Sequence, residues 1–327
     1  MRAYVLPAEG ASPVFADVAA PQPADDEVLL RVTASSVNPH DAMVANGGAA
    51  RYMTYHYPVV LGSDFAGTIE ALGAGVDDLA VGRRVFGLVR ELVAGRGSFA
   101  ELVAVPRTWV APVPDGVDDA AAGALGLAAL TALRCVEAVT PTAGDVVLVN
   151  GATGGVGSYA VQMLVAHGAT VLATARPGEE EKHVRKNGAT DVVDWSTADL
   201  AERVRSLHPA GVAAVIDLVN RDEDAFTALA TRVLAPGGRV ACTGHAADAD
   251  RLPGVVATNV RAAVDQEALR TIAELAGTGQ LHAPITATFP FDEIPLAFEA
   301  LRAGAVGKLA IDRTAAPSTP PHEQRTT

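Results

Sequence analysis

The chain has 327 residues, 49% of them hydrophobic, which is more than one core ordinarily serves, so two domains are expected. Its 25 basic against 38 acidic side chains leave a net charge of -13, which repels phosphate backbones and anionic bilayers and argues against nucleic acid or a membrane as a partner. Cys135 and Cys242, the only two cysteines, make neither a disulfide framework nor a zinc-ligand spacing.

The opening "MRAYVLPAEG" lacks the apolar core of a signal peptide, and the longest apolar run, residues 120–133, falls short of the roughly 20 residues of a membrane span. A protein of the reducing cytoplasm is expected. Before residue 120 the chain is rich in Val, Gly and Pro, with short apolar runs at 27–37, 67–76 and 99–106 between turn residues. That spacing predicts a β-rich, barrel-like domain.

From about 145 the rhythm changes to strand followed by helix: "DVVLVNG", a helix over 156–167, a strand at 169–175, a charged helix over 179–187 and a strand at 191–195. The segments 212–220 and 238–244, with a helix near 224–234 between them, continue it. Apolar strands alternating with helices make a parallel, doubly wound sheet. After 263 come a helix, "ITATFPF", another helix and "GKLAID", which on periodicity either extend that sheet or return to the first domain. The Pro/Thr-rich tail, 314–327, has no apolar face and is expected to be disordered.

Within "GATGGVG", Ala152, Gly154 and Gly157 occupy the three small positions of a G-x-G-x-x-G pattern, with Thr153, Gly155 and Val156 between them. Small residues there permit a tight turn, close approach of backbone N–H groups to a pyrophosphate, and close helix-on-strand packing. The helix N-terminus then faces the phosphates with free N–H groups and partial positive charge. A strand before the pattern and a helix after it favour dinucleotide binding over a simple turn. Folds that prefer NAD carry an acid about 20 residues further on, for the ribose hydroxyls. Here the second strand ends in Ala175 and Arg176, with no acid until Glu179, and Arg176 suits a 2′-phosphate. NADP(H) is the expected cofactor, with Lys182 a weaker second contact.

These segments, with "VTASSVNPHD" (32–41), "PVVLGSDFAGTIEALGAGVDDLAVGRRVFG" (58–87), "GSFAELVAVP" (97–106) and "LAPGGRV" (234–240), resemble the medium-chain dehydrogenase/reductase superfamily, in its zinc-independent quinone oxidoreductase branch. The resemblance implies an α/β protein: a GroES-like, partly open barrel domain (1–122, completed by 263–313) clasping a Rossmann domain (123–262), active as a homodimer. It implies further cofactor contacts from Asn38, Thr131, Thr243, Gly244 and Lys308, and a substrate end formed by Asn38, Thr131 and Tyr52. Zinc-dependent relatives carry a Cys and a His-Glu pair where this chain has Asn38, Ser63 and Asp64, which are poor zinc donors, so no metal is expected. His40 and Asp41 are adjacent, and on an extended segment they point to opposite faces.

Where several relatives have a tyrosine that helps hold the cofactor phosphate this chain has Trp195, and residues 46–60, with three tyrosines and His56, depart from the family stretch as a substrate-side loop. Without a metal to acidify an alcohol, hydride transfer to a quinone or α,β-unsaturated carbonyl compound is the expected chemistry. The competing readings are a zinc-type alcohol dehydrogenase and an NADPH-binding protein whose catalysis has lapsed.

Overall fold

The computed structural model describes residues 1–90, 93–196 and 199–315; most of the expected disordered tail lies outside the described residues. The apolar runs of the first domain become a mixed sheet in the order Val110–Pro112, Arg84–Leu88, Asp64–Leu72, Glu27–Val37, Lys308–Asp312, Ile285–Pro290, with Leu102–Pro106 also paired to Glu27–Val37. The 11-residue Glu27–Val37 strand is nearly all buried and is the spine of this sheet. A smaller sheet pairs Val14–Asp17, Arg2–Leu6 and Val59–Val60. Among the described residues the strands do not close into a barrel, and the domain stays partly open.

The last two strands come from the C-terminal segment. Lys308–Asp312 lies antiparallel to Glu27–Val37, with Leu309 opposite Val37, and parallel to Ile285–Pro290. This register carries Lys308 to the point where the two domains meet.

The second domain is a six-stranded parallel sheet in the order Asp191–Val193, Thr170–Thr174, Val146–Asn150, Val212–Asp217, Leu234–Cys242, Val256–Asn259. In chain order this is 3-2-1-4-5-6, which reverses direction between Val146–Asn150 and Val212–Asp217. Ligands of open α/β sheets bind outside the carboxyl ends of the strands at such a reversal. Val147, Leu148 and Val149 are fully buried, as a central strand covered by helices on both faces requires.

One hydrophobic cluster runs through both domains: Ala34, Ala66 and Phe86 of the mixed sheet pack in it with Leu130 and Leu133 of the Leu127–Val139 helix and with Val147 and Val149. Among the described residues no helix is long and apolar enough to cross a membrane.

Candidate active site

The stretch after Val146–Asn150 turns sharply through Gly151 (φ +86°) and enters the Gly155–Ala166 helix with Gly154 as its N-cap. Gly154 offers no side chain to cap the first turn, so the helix presents bare N–H groups. The glycines of this turn differ in what they face. A Cβ on Gly157 would come within 2.3 Å of Gly151 O and 2.6 Å of Ala152 Cα, so Gly157 serves helix-on-strand packing. A Cβ on Gly155 would strike Lys308 Cδ at 2.7 Å. At Gly154, with an ordinary φ of -76°, the nearest atom to such a Cβ is Gly151 O at 3.8 Å. Nothing in the fold demands glycine at 154, and the space beside it is open on the side where a pyrophosphate would approach. The turn therefore fits a dinucleotide.

A polar network holds the turn. Gly151 N–H donates to Thr174 Oγ1 at 2.9 Å, and Asn150 Nδ2 donates to Asp217 Oδ2 at 2.9 Å. Asp217 is fully buried at the end of its strand and also accepts from the N–H groups of Val219 and Asn220 and from Asn220 Nδ2. Thr243 N–H donates to Asp217 O, and a Cβ on Gly244 would lie 1.8 Å from Asn220 O. Thr243 and Gly244 are thus packed onto the loop that faces the glycine turn. Asn150, Thr174 and Asp217 were not singled out in the sequence, although a lone acid closing the apolar run "VAAVID" was the available signal.

At the end of Thr170–Thr174, Ala175 is buried and pairs its N–H with Val193 O, and Arg176 emerges toward solvent. No acid stands between the strand end and Glu179 along the chain, yet one comes close in space. The Glu179–Lys186 helix returns Glu180 to Arg176: Oε2 accepts the Arg176 N–H at 2.7 Å and Oε1 the Nε–H at 2.8 Å. Burial raises the Glu180 pKa, but the bonds from Arg176 outweigh it and hold the carboxyl below its ordinary range. The guanidinium lies 5.6 Å from the centre of the Trp195 ring. Lys182 is exposed and bonded to Glu179.

Across the domain junction sits a buried cluster. Lys308 Nζ donates to Asn38 Oδ1 at 2.7 Å and lies 3.2 Å from Asp64 Oδ2. Asp64 Oδ2 also accepts from Ser36 Oγ and Asn38 Nδ2, while its Oδ1 accepts the Leu127 N–H at the start of the next domain's first long helix. Asn38, Asp64 and Lys308 are 3%, 0% and 2% exposed. One N–H of the Asn38 amide is therefore taken by Asp64, and its oxygen by Lys308. Thr131 donates to Leu127 O of its own helix at 2.7 Å, and Tyr52, 42% exposed, donates to Met43 Sδ at 3.3 Å.

The segment carrying His40 and Asp41 is a helix, Pro39–Ala45, not the extended chain expected. Asn38 precedes it, Pro39 opens it, and Asp41 Oδ2 accepts the Asn38 N–H at 2.8 Å, which is a helix start written as Asn-Pro-x-Asp. Ser63 Oγ donates to Asp41 Oδ1 at 2.6 Å. At the positions of the relatives' zinc ligands, then, stand an amide bonded to Lys308, a hydroxyl bonded to Asp41 and a carboxylate bonded to an ammonium. This donor set does not fit zinc. Among the described residues no group of three or more His, Cys, Asp or Glu could hold a metal ion.

Burial pushes the Asp41 carboxyl up from 3.8 to about 7, with neighbouring Asp64 adding to the rise. Burial and then Arg90 push His40 down from 6.5 to about 4. Asp41 thus contributes stability that is present near pH 4 and lost as pH rises toward 7; His40 contributes stability that is present above 6.5 and lost as pH falls toward 4. The two slopes oppose one another in the native protein. Asp41→Asn should leave the His40 slope alone, so that stability rises by about 1.4 kcal/mol per pH unit more steeply than in the parent through the acid range. Urea unfolding on both sides of pH 5 (about 4.5 and 6) checks this, and equal slopes for variant and parent would refute the paired burial.

Residues 24–115 match the family described as Alcohol dehydrogenase GroES-like domain, and residues 155–288 that described as Zinc-binding dehydrogenase. The quinone oxidoreductase of Rattus norvegicus is 34% identical over 233 residues, covering 70% of this chain and 67% of that protein. Its counterpart in Homo sapiens is 29% identical over 313 residues, covering 90% and 92%. Among solved structures, an alcohol dehydrogenase superfamily protein from Novosphingobium aromaticivorans superposes with a TM-score of 0.85 at 30% identity, over 95% of this chain and 99% of that one.

Proposed function

This chain belongs to the medium-chain dehydrogenase/reductase superfamily, in its quinone oxidoreductase branch, and from that premise we propose that it is an NADPH-dependent, zinc-independent reductase of quinones or of α,β-unsaturated carbonyl compounds. The observation that carries the reading is the open space at Gly154, on a bare helix N-terminus at the reversal of the parallel sheet. Ala152 to Gly157 would hold the pyrophosphate, with Thr243 and Gly244 bordering it from the end of the Leu234–Cys242 strand. Arg176, with Lys182 further out, would meet the 2′-phosphate beyond Ala175.

NADPH when bound supplies a hydride from its nicotinamide ring. A quinone or enone that accepts it at carbon develops negative charge on its carbonyl oxygen. Asn38 is proposed as a positioning residue: with Asp64 it fixes the Lys308 ammonium, so the wall of the junction is preorganised before that charge appears. Tyr52 and Thr131 are proposed to line the acceptor's end. Water can supply the final proton, so no titrating donor is needed. The family likeness further leads us to propose a homodimer in the cytoplasm as the working form.

Cofactor choice is the first test of this reading. Arg176→Ala should weaken NADPH by about tenfold or more, as expected for loss of a charge-assisted bond to phosphate, and leave NADH within about twofold. Equal losses for both cofactors in a binding titration would remove Arg176 from phosphate recognition.

A further inference from the structure

Arg176 is not waiting free for a phosphate. Its main-chain N–H and its Nε–H both point to Glu180, whose side chain is 12% exposed while that of Arg176 is 56% exposed. The indole of Trp195 lies along the guanidinium. The cation is thus fixed by a carboxylate and an aromatic face, with its charge already balanced. A guanidinium has five N–H donors in a fixed fork. Glu180 takes the Nε–H and bonds Nη2 as well, and it also takes the backbone N–H at the strand end.

We propose that Glu180 is a specificity-determining residue that competes with the 2′-phosphate of NADPH for Arg176 and so sets the ratio of NADPH to NADH affinity. The proposal rests on the NADPH reading above. A 2′-phosphate carries close to two negative charges and would have to share the guanidinium with a carboxylate only a few ångströms away. NADH brings a 2′-hydroxyl in its place, which can donate to the same carboxylate. One residue therefore weakens the first cofactor and suits the second. On the same helix Glu179 and Glu181 flank it, paired with Lys182 and Arg185.

The test uses four proteins: the parent, Glu180→Gln, Arg176→Ala and the double variant. Glutamine keeps the shape and the acceptor oxygen and removes the charge. Each protein is titrated with NADPH, NADH, 2′,5′-ADP and 5′-AMP, followed by calorimetry and by tryptophan fluorescence, to which the exposed Trp195 contributes beside Trp109. Glu180→Gln should tighten NADPH and 2′,5′-ADP by about tenfold and leave NADH and 5′-AMP within about twofold, and the gain should vanish when Arg176 is also alanine. Weaker NADPH binding in Glu180→Gln, or an unchanged NADPH to NADH ratio, would overturn the proposal. If Arg176→Ala itself leaves NADPH untouched, the cofactor reading fails and this one with it. If Arg176→Ala weakens NADPH and Glu180→Gln changes nothing, only the role of Glu180 falls.

Discussion

Gly154→Val should abolish measurable binding of the dinucleotide while leaving the fold intact. Apart from its chain neighbours, a Cβ at 154 meets no atom closer than 3.8 Å, and the residue's φ of -76° is open to any L-amino acid, so the folded chain has room for a Cβ there. The branch fills the space beside the bare helix N-terminus, where phosphate oxygens would approach the backbone N–H groups. Hydrogen bonds to a charged group contribute about 1.5–3 kcal/mol each, so loss of two weakens binding by roughly 150-fold to more than 10⁴-fold. Gly157→Val is the contrasting variant. Its Cβ would meet main-chain atoms at 2.3 and 2.6 Å, and it should fail to fold. Circular dichroism beside a cofactor titration separates the two. Parent-like binding by folded Gly154→Val would remove the turn from cofactor recognition.

Lys308→Met should cost about 3–5 kcal/mol of stability, because it strands the Asp64 carboxylate in a site from which water is excluded. Asp64 would keep its bonds from Ser36, Asn38 and the Leu127 N–H, which places the expected loss at the lower end of that range. Adding Asp64→Asn to Lys308→Met should recover much of it, since the second change removes the unpaired charge and keeps an oxygen for the Leu127 N–H. Urea unfolding of the two single variants and the double variant checks this. Additive losses would mean that the ammonium and the carboxylate are not coupled.

The glycine turn was legible because everything it needs is local: an apolar strand, three small residues at fixed spacing and an apolar helix follow one another directly. The Glu27–Val37 strand was legible in the same way, from a short Val/Leu-rich run between turn residues. The Asn38–Asp64–Lys308 cluster was only partly legible. Asn38 and Lys308 could be singled out by resemblance, but their bond joins residues 270 positions apart, across a strand register that no local pattern encodes. Where local signals existed and were passed over, the loss was of another kind. Asn38-Pro39-x-Asp41 carries a helix start, yet the segment was expected to be extended. Arg176 and Glu180 are an i,i+4 pair, and counting acids along the sequence from the strand end hid a carboxylate that one helical turn brings back. The strand expected at 238–244 begins at Leu234, because the "LAPGG" stretch is extended and joins the sheet with a register shift opposite Val212–Ala214.

The proposed reaction is hydride transfer from NADPH to the carbon skeleton of a quinone or an α,β-unsaturated carbonyl compound. The direct measurement supplies NADPH deuterated at C4 of the nicotinamide, on each face in turn, with a panel of quinones, enals and enones, and weighs the products by mass spectrometry. Deuterium from one face only should be retained on the β-carbon of the reduced enal or enone, with and without a zinc chelator, whereas a quinol loses it to water or on re-aromatising and so reports turnover alone. Deuterium in no enal or enone product across the panel, or turnover that appears only with an alcohol and an oxidised cofactor and stops on chelation, would exclude that reaction.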